Sequence, residues 1–301
     1  MKCQFTLTVS EGKLLIAKAI AAQPEVRKAL SEGMILLKGG TTVSALSEEL
    51  CGVPLRISGR ITPRGTVSSG AVKPEGAHSL LIRRGVPEQG DGRLAEIAAS
   101  MGPGDVFVCG ANLIDPWGGA VMMAGKDLCG EPGGIIPVIE SEGVKCFVAA
   151  GLEKLSPLPL RESCENAGRK TPVWSMGMAV GLVPVPGRVV TELEALSMLG
   201  YPNRWLVGRG GISGGEGSST FVAETGSEDE MAALLAFLGK IKGAATSGVK
   251  TSLEECLRCG PGRAGHLGCV YGRNARFGRG FDEKNNWNRD HRPGAKDGRN
   301  P

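Results

Sequence analysis

Aromatic side chains are scarce in this sequence. Phe, Trp and Tyr make up 4% of its 301 residues, so its core must be built from Ala, Val, Ile, Leu and Met. No apolar run approaches the ~20 residues that a helix needs to cross a bilayer. The first residues, MKCQFTLTVSEGK, lack the apolar stretch of a signal peptide. These absences argue against a membrane protein and against a secreted one.

Cysteine is present without the spacing of a disulfide framework. Six of the nine cysteines stand singly, and some lie inside apolar runs such as VFVCGA, where Cys usually behaves as a small buried hydrophobe. An odd total without paired spacing favours a reducing compartment. We therefore expect a cytoplasmic protein.

The formal net charge of +4 is unevenly distributed. Residues 1–249 carry 24 Lys and Arg against 25 Asp and Glu, whereas residues 250–301 carry 11 against 6. A nearly neutral body does not support a broad nucleic-acid-binding surface. Contact with nucleic acid remains open only for the basic tail.

Glycine is abundant, with 47 residues, about twice the usual ~7% share. The glycines separate short apolar runs, which predicts many tight turns between strands and helices. Strands are predicted at 34–38, 54–58, 79–83, 105–109, 144–150, 178–185, 204–208 and 219–224. Helices are predicted at 11–22, 24–32, 43–50, 92–101, 133–143, 191–199 and 227–243. The alternation predicts an α/β fold with a mostly parallel, Rossmann-like sheet and helices on both faces.

Three helix starts carry specific signals. Ser10 is a plausible N-cap for the first helix. Capping boxes are predicted at Thr191 with Glu194 and at Ser227 with Glu230.

The C-terminal region divides the chain into an α/β ligand-binding domain at 1–249, a small Cys/His knuckle at 250–270 and a basic tail at 271–301. The tail is rich in Gly, Asn and Arg and poor in aliphatic residues, which predicts disorder. The knuckle has the spacing C-x2-C-x6-H-x2-C, formed by Cys256, Cys259, His266 and Cys269. Three thiols and one imidazole suit a closed, structural zinc site. The alternative is a set of reduced cysteines without a metal.

A candidate anion site follows the strand at 34–38. Gly39 and Gly40 allow close approach of the backbone to a ligand, and Thr41 and Thr42 add hydroxyl donors at the start of a helix. The unpaired N–H groups of a helix N-terminus favour a negative ligand. The alternative is a tight turn in which a Thr simply caps the helix.

Arginines follow this loop in the segment RISGRITPRG. If residues 54–61 form a strand, Arg56 and Arg60 lie on one face, and Arg64 follows. Arg suits phosphate and carboxylate because its guanidinium offers a planar fork of donors. The alternative is an ordinary solvated edge.

Three stretches resemble the ribose-5-phosphate isomerase-like superfamily, which also contains glucosamine-phosphate deaminases, CoA transferases and the effector domains of DeoR-type repressors. ALSEGMILLKGGTTVSALSEEL is similar to the family's strand, phosphate loop and helix. GDVFVCGANLIDPWGG resembles its strand ending in an acidic turn, and GVKCFVAAGLEKLSP the strand that precedes its signature lysine. Together they span about residues 29–157. The resemblance implies the α/β fold, a sugar-phosphate ligand and a homo-oligomer.

The resemblance also implies roles for single residues. Asp115 and Glu131 are the candidate acid/base groups, and Lys154 is the candidate catalytic lysine. Gly110 and Asn112 are expected to contact the ligand. Asn112 stands where the family has its first acid, and the family's D-x-S before the lysine is replaced, so the usual set of catalytic groups is incomplete.

Three functions remain open. The first is an enzyme that binds a sugar phosphate and isomerises it by acid/base chemistry. The second is a non-catalytic ligand sensor or regulator whose knuckle and tail bind a partner. The third is a CoA transferase-like enzyme with Glu131 or Glu216 as the nucleophile.

Overall fold

The computed structural model describes residues 1–62, 65–68, 75–172, 175 and 177–253. Within them the α-helices are α1 (Val9–Ala21), α2 (Pro24–Glu32), α3 (Thr41–Cys51), α4 (Leu94–Ser100), α5 (Gly130–Ser141), α6 (Leu160–Asn166), α7 (Glu192–Met198) and α8 (Glu228–Ile241). The strands are β1 (Lys2–Leu7), β2 (Met34–Lys38), β3 (Gly59–Thr62), β4 (Gly65–Ser68), β5 (Ser79–Arg83), β6 (Val86–Gln89), β7 (Val106–Gly110), β8 (Leu113–Ile114), β9 (Ala120–Ala124), β10 (Lys145–Ala149), β11 (Gly181–Pro184), β12 (Arg188–Val190), β13 (Arg204–Gly210) and β14 (Ser218–Glu224). No helix of this described part combines the length and apolarity needed to span a bilayer.

Six strands form the central sheet in the order β12-β10-β7-β2-β5-β6. The first four run parallel, whereas β5 pairs antiparallel with β2 and β6 antiparallel with β5. The predicted mixed α/β fold with a mostly parallel sheet is confirmed. β5 and β6 are joined by a two-residue turn, Arg84-Gly85, in which both residues have positive φ. Such turns match the twist of a hairpin.

Both faces of the central sheet are covered. Ile35 and Leu37 of β2 belong to a core cluster that includes α1, α3, α7 and α8. Leu36, between them, belongs to a second cluster with α4 and α5. Because successive strand residues point to opposite faces, a run of apolar residues such as MILLK must be buried from both sides.

A second, antiparallel sheet has the order β1-β14-β13. Phe5 of β1 is paired with Phe221 of β14, and their ring centroids lie 5.7 Å apart. The sequence predicted β14 but not β1, because KCQFTL alternates polar and apolar residues and carries no continuous apolar run. This sheet packs on α8 within the same core cluster as α1.

The prediction of a strand at 54–58 is wrong, because these residues form no regular strand. Their backbone N–H groups donate singly to scattered partners rather than to one neighbouring strand: Leu55 to Ser44 Oγ, Arg56 to Ala77 O and Ile57 to Ser252 Oγ. Arg56 and Arg60 therefore do not share the face of one strand.

The predicted helix starts are partly correct. α1 begins two residues earlier than expected, with Thr8 as N-cap and a capping box to Glu11, so Ser10 lies inside the helix. Ser227 caps α8 and accepts from Glu230 N, but the reciprocal bond of the predicted capping box is missing, because the Glu230 carboxylate accepts from Gly226 N. The box at Thr191 does not form, because the Thr191 hydroxyl donates to the Glu194 carboxylate instead of accepting from the backbone.

Candidate functional site

A cavity of about 720 Å³ lies at the carboxyl edge of the parallel strands. Residues 39–42 after β2, 110–113 after β7 and 153–155 after β10 all line it. Loops at the carboxyl ends of neighbouring parallel strands meet at one edge of a sheet, which is where α/β folds hold their ligands. The three stretches that carry the family resemblance thus converge on one opening.

The N-terminus of α3 faces this cavity. The Gly39 N–H donates to His78 O at 2.7 Å, and a side chain at Gly39 would collide with His78. The amide of Gly39 is therefore already satisfied. The backbone amides of Gly40, Thr41 and Thr42 have no hydrogen-bond acceptor within the part of the chain that the structure describes. Three amides at the positive end of a helix are thus open to a ligand.

Thr42 adds an unsatisfied hydroxyl to the same place. Its side chain is only 2% exposed, and its Oγ1 has no hydrogen-bond partner among the described residues. A buried hydroxyl without a partner costs about 1–3 kcal/mol. Thr42 lines the cavity, so an acceptor bound there would satisfy it.

Three lysines converge on the cavity from three elements: Lys13 from α1, Lys38 from the end of β2 and Lys154 from the turn after β10. None of them forms an ion pair with a carboxylate that the structure describes. Burial lowers the pKa of each ammonium group. A cluster of desolvated cations favours a multiply charged anion. Lys154 was predicted; Lys13 and Lys38 were not, because nothing in their local sequence relates them.

Two carboxylates adjoin the lysines. Glu153 lines the cavity, and both of its carboxylate oxygens are buried without a hydrogen-bond partner among the described residues. Glu192 lies behind it as the first residue of α7, where its Oε2 accepts from Leu152 N at 2.8 Å. Burial, and then the nearby Glu153, raise the pKa of Glu192 to about 7. Sequence reasoning missed both as site residues.

His78 stands between this cavity and a second one of about 780 Å³, which shares Lys38 and Ser58 with the first. Its Nδ1 lies 2.9 Å from Arg56 O. Burial and then Lys38 lower the pKa of His78 to about 4, so the imidazole is neutral at pH 7.

Gly110 and Asn112 line the cavity, as expected of ligand contacts. The Asn112 Oδ1 accepts from Met123 N at 2.9 Å, which holds the side chain in place. Arg60 also lines the cavity, where its guanidinium donates to Ser252 O.

The candidate acids lie elsewhere. Asp115 is outside the cavity lining, and its carboxylate accepts from the backbone N–H of Trp117, Gly119 and Leu160, so it stabilises a turn. The expected role of Asp115 as acid/base therefore has no support from its position.

Glu131 lines the second cavity. Its carboxylate accepts from Gly92 N and Leu94 N at the start of α4. Glu216 accepts from Gly214 N within its own loop. Each of these acids holds backbone amides in place.

The remaining predicted residues are not described by the structure. Arg64 falls in a gap, and Cys256, Cys259, His266 and Cys269 lie beyond residue 253. The described residues hold no other group of three or more Cys, His, Asp or Glu arranged to bind a metal ion. The structural zinc site therefore stays a prediction.

No protein-family model, curated protein or solved structure matches this chain. The resemblance to the ribose-5-phosphate isomerase-like superfamily therefore stays an interpretation of three short stretches. The function must be argued from the cavity itself.

Proposed function

We propose that the chain binds an anionic small metabolite, a sugar phosphate, in the cavity at the end of β2. One observation carries this proposal: Lys13, Lys38 and Lys154 surround the same cavity as the open N-terminus of α3. Three partly buried ammonium groups repel one another, so an anion bound among them lowers the electrostatic free energy of the site.

A phosphate group suits this arrangement better than a single carboxylate. The free amides of Gly40, Thr41 and Thr42 and the Thr42 hydroxyl offer several donors, and a phosphate has enough oxygens to accept from all of them. The volume of about 720 Å³ lies in the usual range for small-molecule sites. It leaves room for a polar body beyond the phosphate, next to Glu153, whose carboxyl group can form hydrogen bonds with hydroxyl groups.

Binding without isomerisation is the second candidate function. Asn112, which stands in place of an acid, uses its Oδ1 to hold the Met123 amide, and Asp115 is bound within a turn. Both observations favour a ligand sensor over an isomerase that works through Asp115. Turnover of aldose and ketose phosphates by wild type but not by Asp115→Asn would contradict this argument.

The charge requirement can be tested by Lys38→Gln. Loss of this partly buried cation should raise the dissociation constant of inorganic phosphate at least about tenfold, since a hydrogen bond to a charged group contributes about 1.5–3 kcal/mol. Isothermal titration calorimetry measures this value. The matched control is Lys28→Gln, a substitution of an exposed lysine on α2. Equal affinity in the two variants would contradict the proposal.

The hydroxyl of Thr42 permits a sharper test. Thr42→Val removes a buried hydroxyl without a partner, so the free protein should become about 1 kcal/mol more stable while phosphate binds about tenfold more weakly. Ser218→Ala is the control, because the Ser218 hydroxyl is also buried without a partner but lies outside the cavity lining. It should gain stability and keep wild-type affinity. Urea unfolding and calorimetry separate the two effects; a Thr42→Val protein that binds phosphate normally would refute the assignment.

A further inference from the structure

Glu153 and Glu192 come together around one glycine. A Cβ atom at Gly151 would lie within 3.0 Å of both Glu153 Oε2 and Glu192 Oε1. These two carboxylate oxygens are therefore less than 6 Å apart. Gly12 of α1 makes the matching approach from the other side, because a Cβ there would lie 2.5 Å from Glu192 Oε1. The two glycines leave the space that this carboxylate pair occupies.

The surroundings of the pair are mixed in charge. Lys13 of α1 and Lys154 interact electrostatically with both carboxylates, and Arg209 of β13 acts on Glu192. The Leu152 amide binds Glu192, whereas Glu153 has no donor within the described chain. Two buried carboxylates this close do not both ionise easily, and a proton on one relieves their repulsion.

We propose that Glu153 and Glu192 act as one proton-carrying unit in the wall of the anion site, and that this unit takes up a proton when an anion binds. The inference rests on the proposed function, since it concerns the same site. The proton comes from solvent, no bond of the ligand breaks, and protonated Glu153 becomes a donor to the anion. Glu192, behind it, is a positioning residue that holds the shared charge.

The physical reason is that an arriving dianion adds negative charge beside two carboxylates. Uptake of a proton turns Glu153 from a repelling acceptor into a hydrogen-bond donor. If one proton is taken up for each anion, the dissociation constant of a non-titrating anion rises about tenfold per pH unit above the titration of the pair. Proton uptake by Glu153 thereby removes one negative charge from the site when a negatively charged ligand binds.

Sulfate is a suitable probe because, unlike phosphate, it does not itself titrate near neutral pH. Calorimetric titration of the full chain with sulfate, in two buffers of different ionisation enthalpy, gives the number of protons taken up. We expect uptake in wild type and a clear fall in both Glu153→Gln and Glu192→Gln. Glu162→Gln, an exposed residue of α6, is the control and should keep the wild-type value. Burial lowers the pKa of Lys13 and of Lys154, and Glu153 and Glu192 both oppose that shift, so loss of either carboxylate would increase proton uptake by the lysines and does not explain a fall.

The outcomes separate the two proposals. Sulfate binding to wild type without proton uptake, or with uptake unchanged in both variants, overturns the proton-carrying pair and leaves the anion site standing. Failure of both sulfate and phosphate to bind wild type overturns both. A second measurement needs no variant: infrared difference spectra of wild type with and without sulfate should gain the C=O stretch of a protonated carboxyl group, and absence of that band overturns the proposal.

Discussion

Thr42 and Glu153 have buried side-chain oxygens without a hydrogen-bond partner among the described residues, and the three lysines beside them form no ion pair there. Unsatisfied groups of this kind reduce stability, so several of them in one cavity indicate a site kept for a ligand. Local sequence predicted the loop, because glycines and hydroxyls before a helix are a recognisable pattern, whereas Lys154 was predicted from the family resemblance. It could not predict Lys13, which lines the cavity, or Glu192, which lies behind Glu153, because the packing of α1 against α7 brings them there.

Glu192 should make the stability of the protein depend on pH. Its pKa rises from an ordinary 4.5 to about 7, so the folded protein holds this proton more tightly than the unfolded chain. The free energy of unfolding should therefore fall as pH rises from 4.5 to about 7, by a contribution on the order of 3 kcal/mol. His78, with a lowered pKa, contributes a slope of opposite sign below pH 6.5.

The difference between wild type and Glu192→Gln isolates this contribution, because His78 is common to both. Urea unfolding over the same pH range should show the variant gaining stability relative to wild type as pH rises. Glu162→Gln should follow wild type. A constant difference between Glu192→Gln and wild type across the range would contradict the shifted titration.

Among the elements, the start of α1 holds distant parts of the chain together. The Glu11 carboxylate accepts from Thr8 N at 2.7 Å and from Gly243 N at 2.8 Å, and it pairs with Lys242 Nζ at 3.1 Å. The Thr8 side chain contributes the reciprocal bond, in which its Oγ1 accepts from Glu11 N. The box thus joins the first helix to the end of α8 as well as capping α1.

This difference predicts unequal effects of two alanine substitutions. Thr8→Ala should lower the free energy of unfolding by about 1 kcal/mol, the usual value of an N-cap. Glu11→Ala should cost more, because it removes the acceptor of the Thr8 and Gly243 amides and the ion pair with Lys242. Denaturant unfolding of both variants measures the order, and Ser10→Ala, inside the helix, is the control. Equal losses for Thr8→Ala and Glu11→Ala would show that the contacts to Gly243 and Lys242 contribute nothing.

The prediction of strands succeeded where apolar runs were continuous. It failed where tertiary contacts determine the backbone conformation. MILLK and VFVCG form the central strands because burial on both faces leaves no other place for them. Residues 54–58 look equally strand-like, yet their amides donate to Ser44 and Ser252, partners that are distant in sequence. No local pattern reports such partners.

At the scale of the whole molecule, we expect zinc binding by the C-terminal Cys/His segment to be independent of phosphate binding by the α/β body. If Cys256, Cys259, His266 and Cys269 form the structural site proposed from their spacing, elemental analysis of purified protein should find one zinc per chain. Cys256→Ser should lose that zinc, whereas Cys3→Ser in β1 should keep it. Phosphate affinity should not change in either variant. Protein without zinc, purified under reducing conditions, would contradict the site.

The strand that leads to the anion loop is held on both sides, by β7 in parallel and by β5 in antiparallel pairing. The next residue, Gly39, is fixed in turn by His78 O. The loop is already ordered in the folded protein. An anion that binds at the N-terminus of α3 therefore loses little affinity to the entropic cost of ordering the loop. The NMR signals of the loop amides should therefore shift when the anion binds, while the backbone conformation between β2 and α3 stays the same.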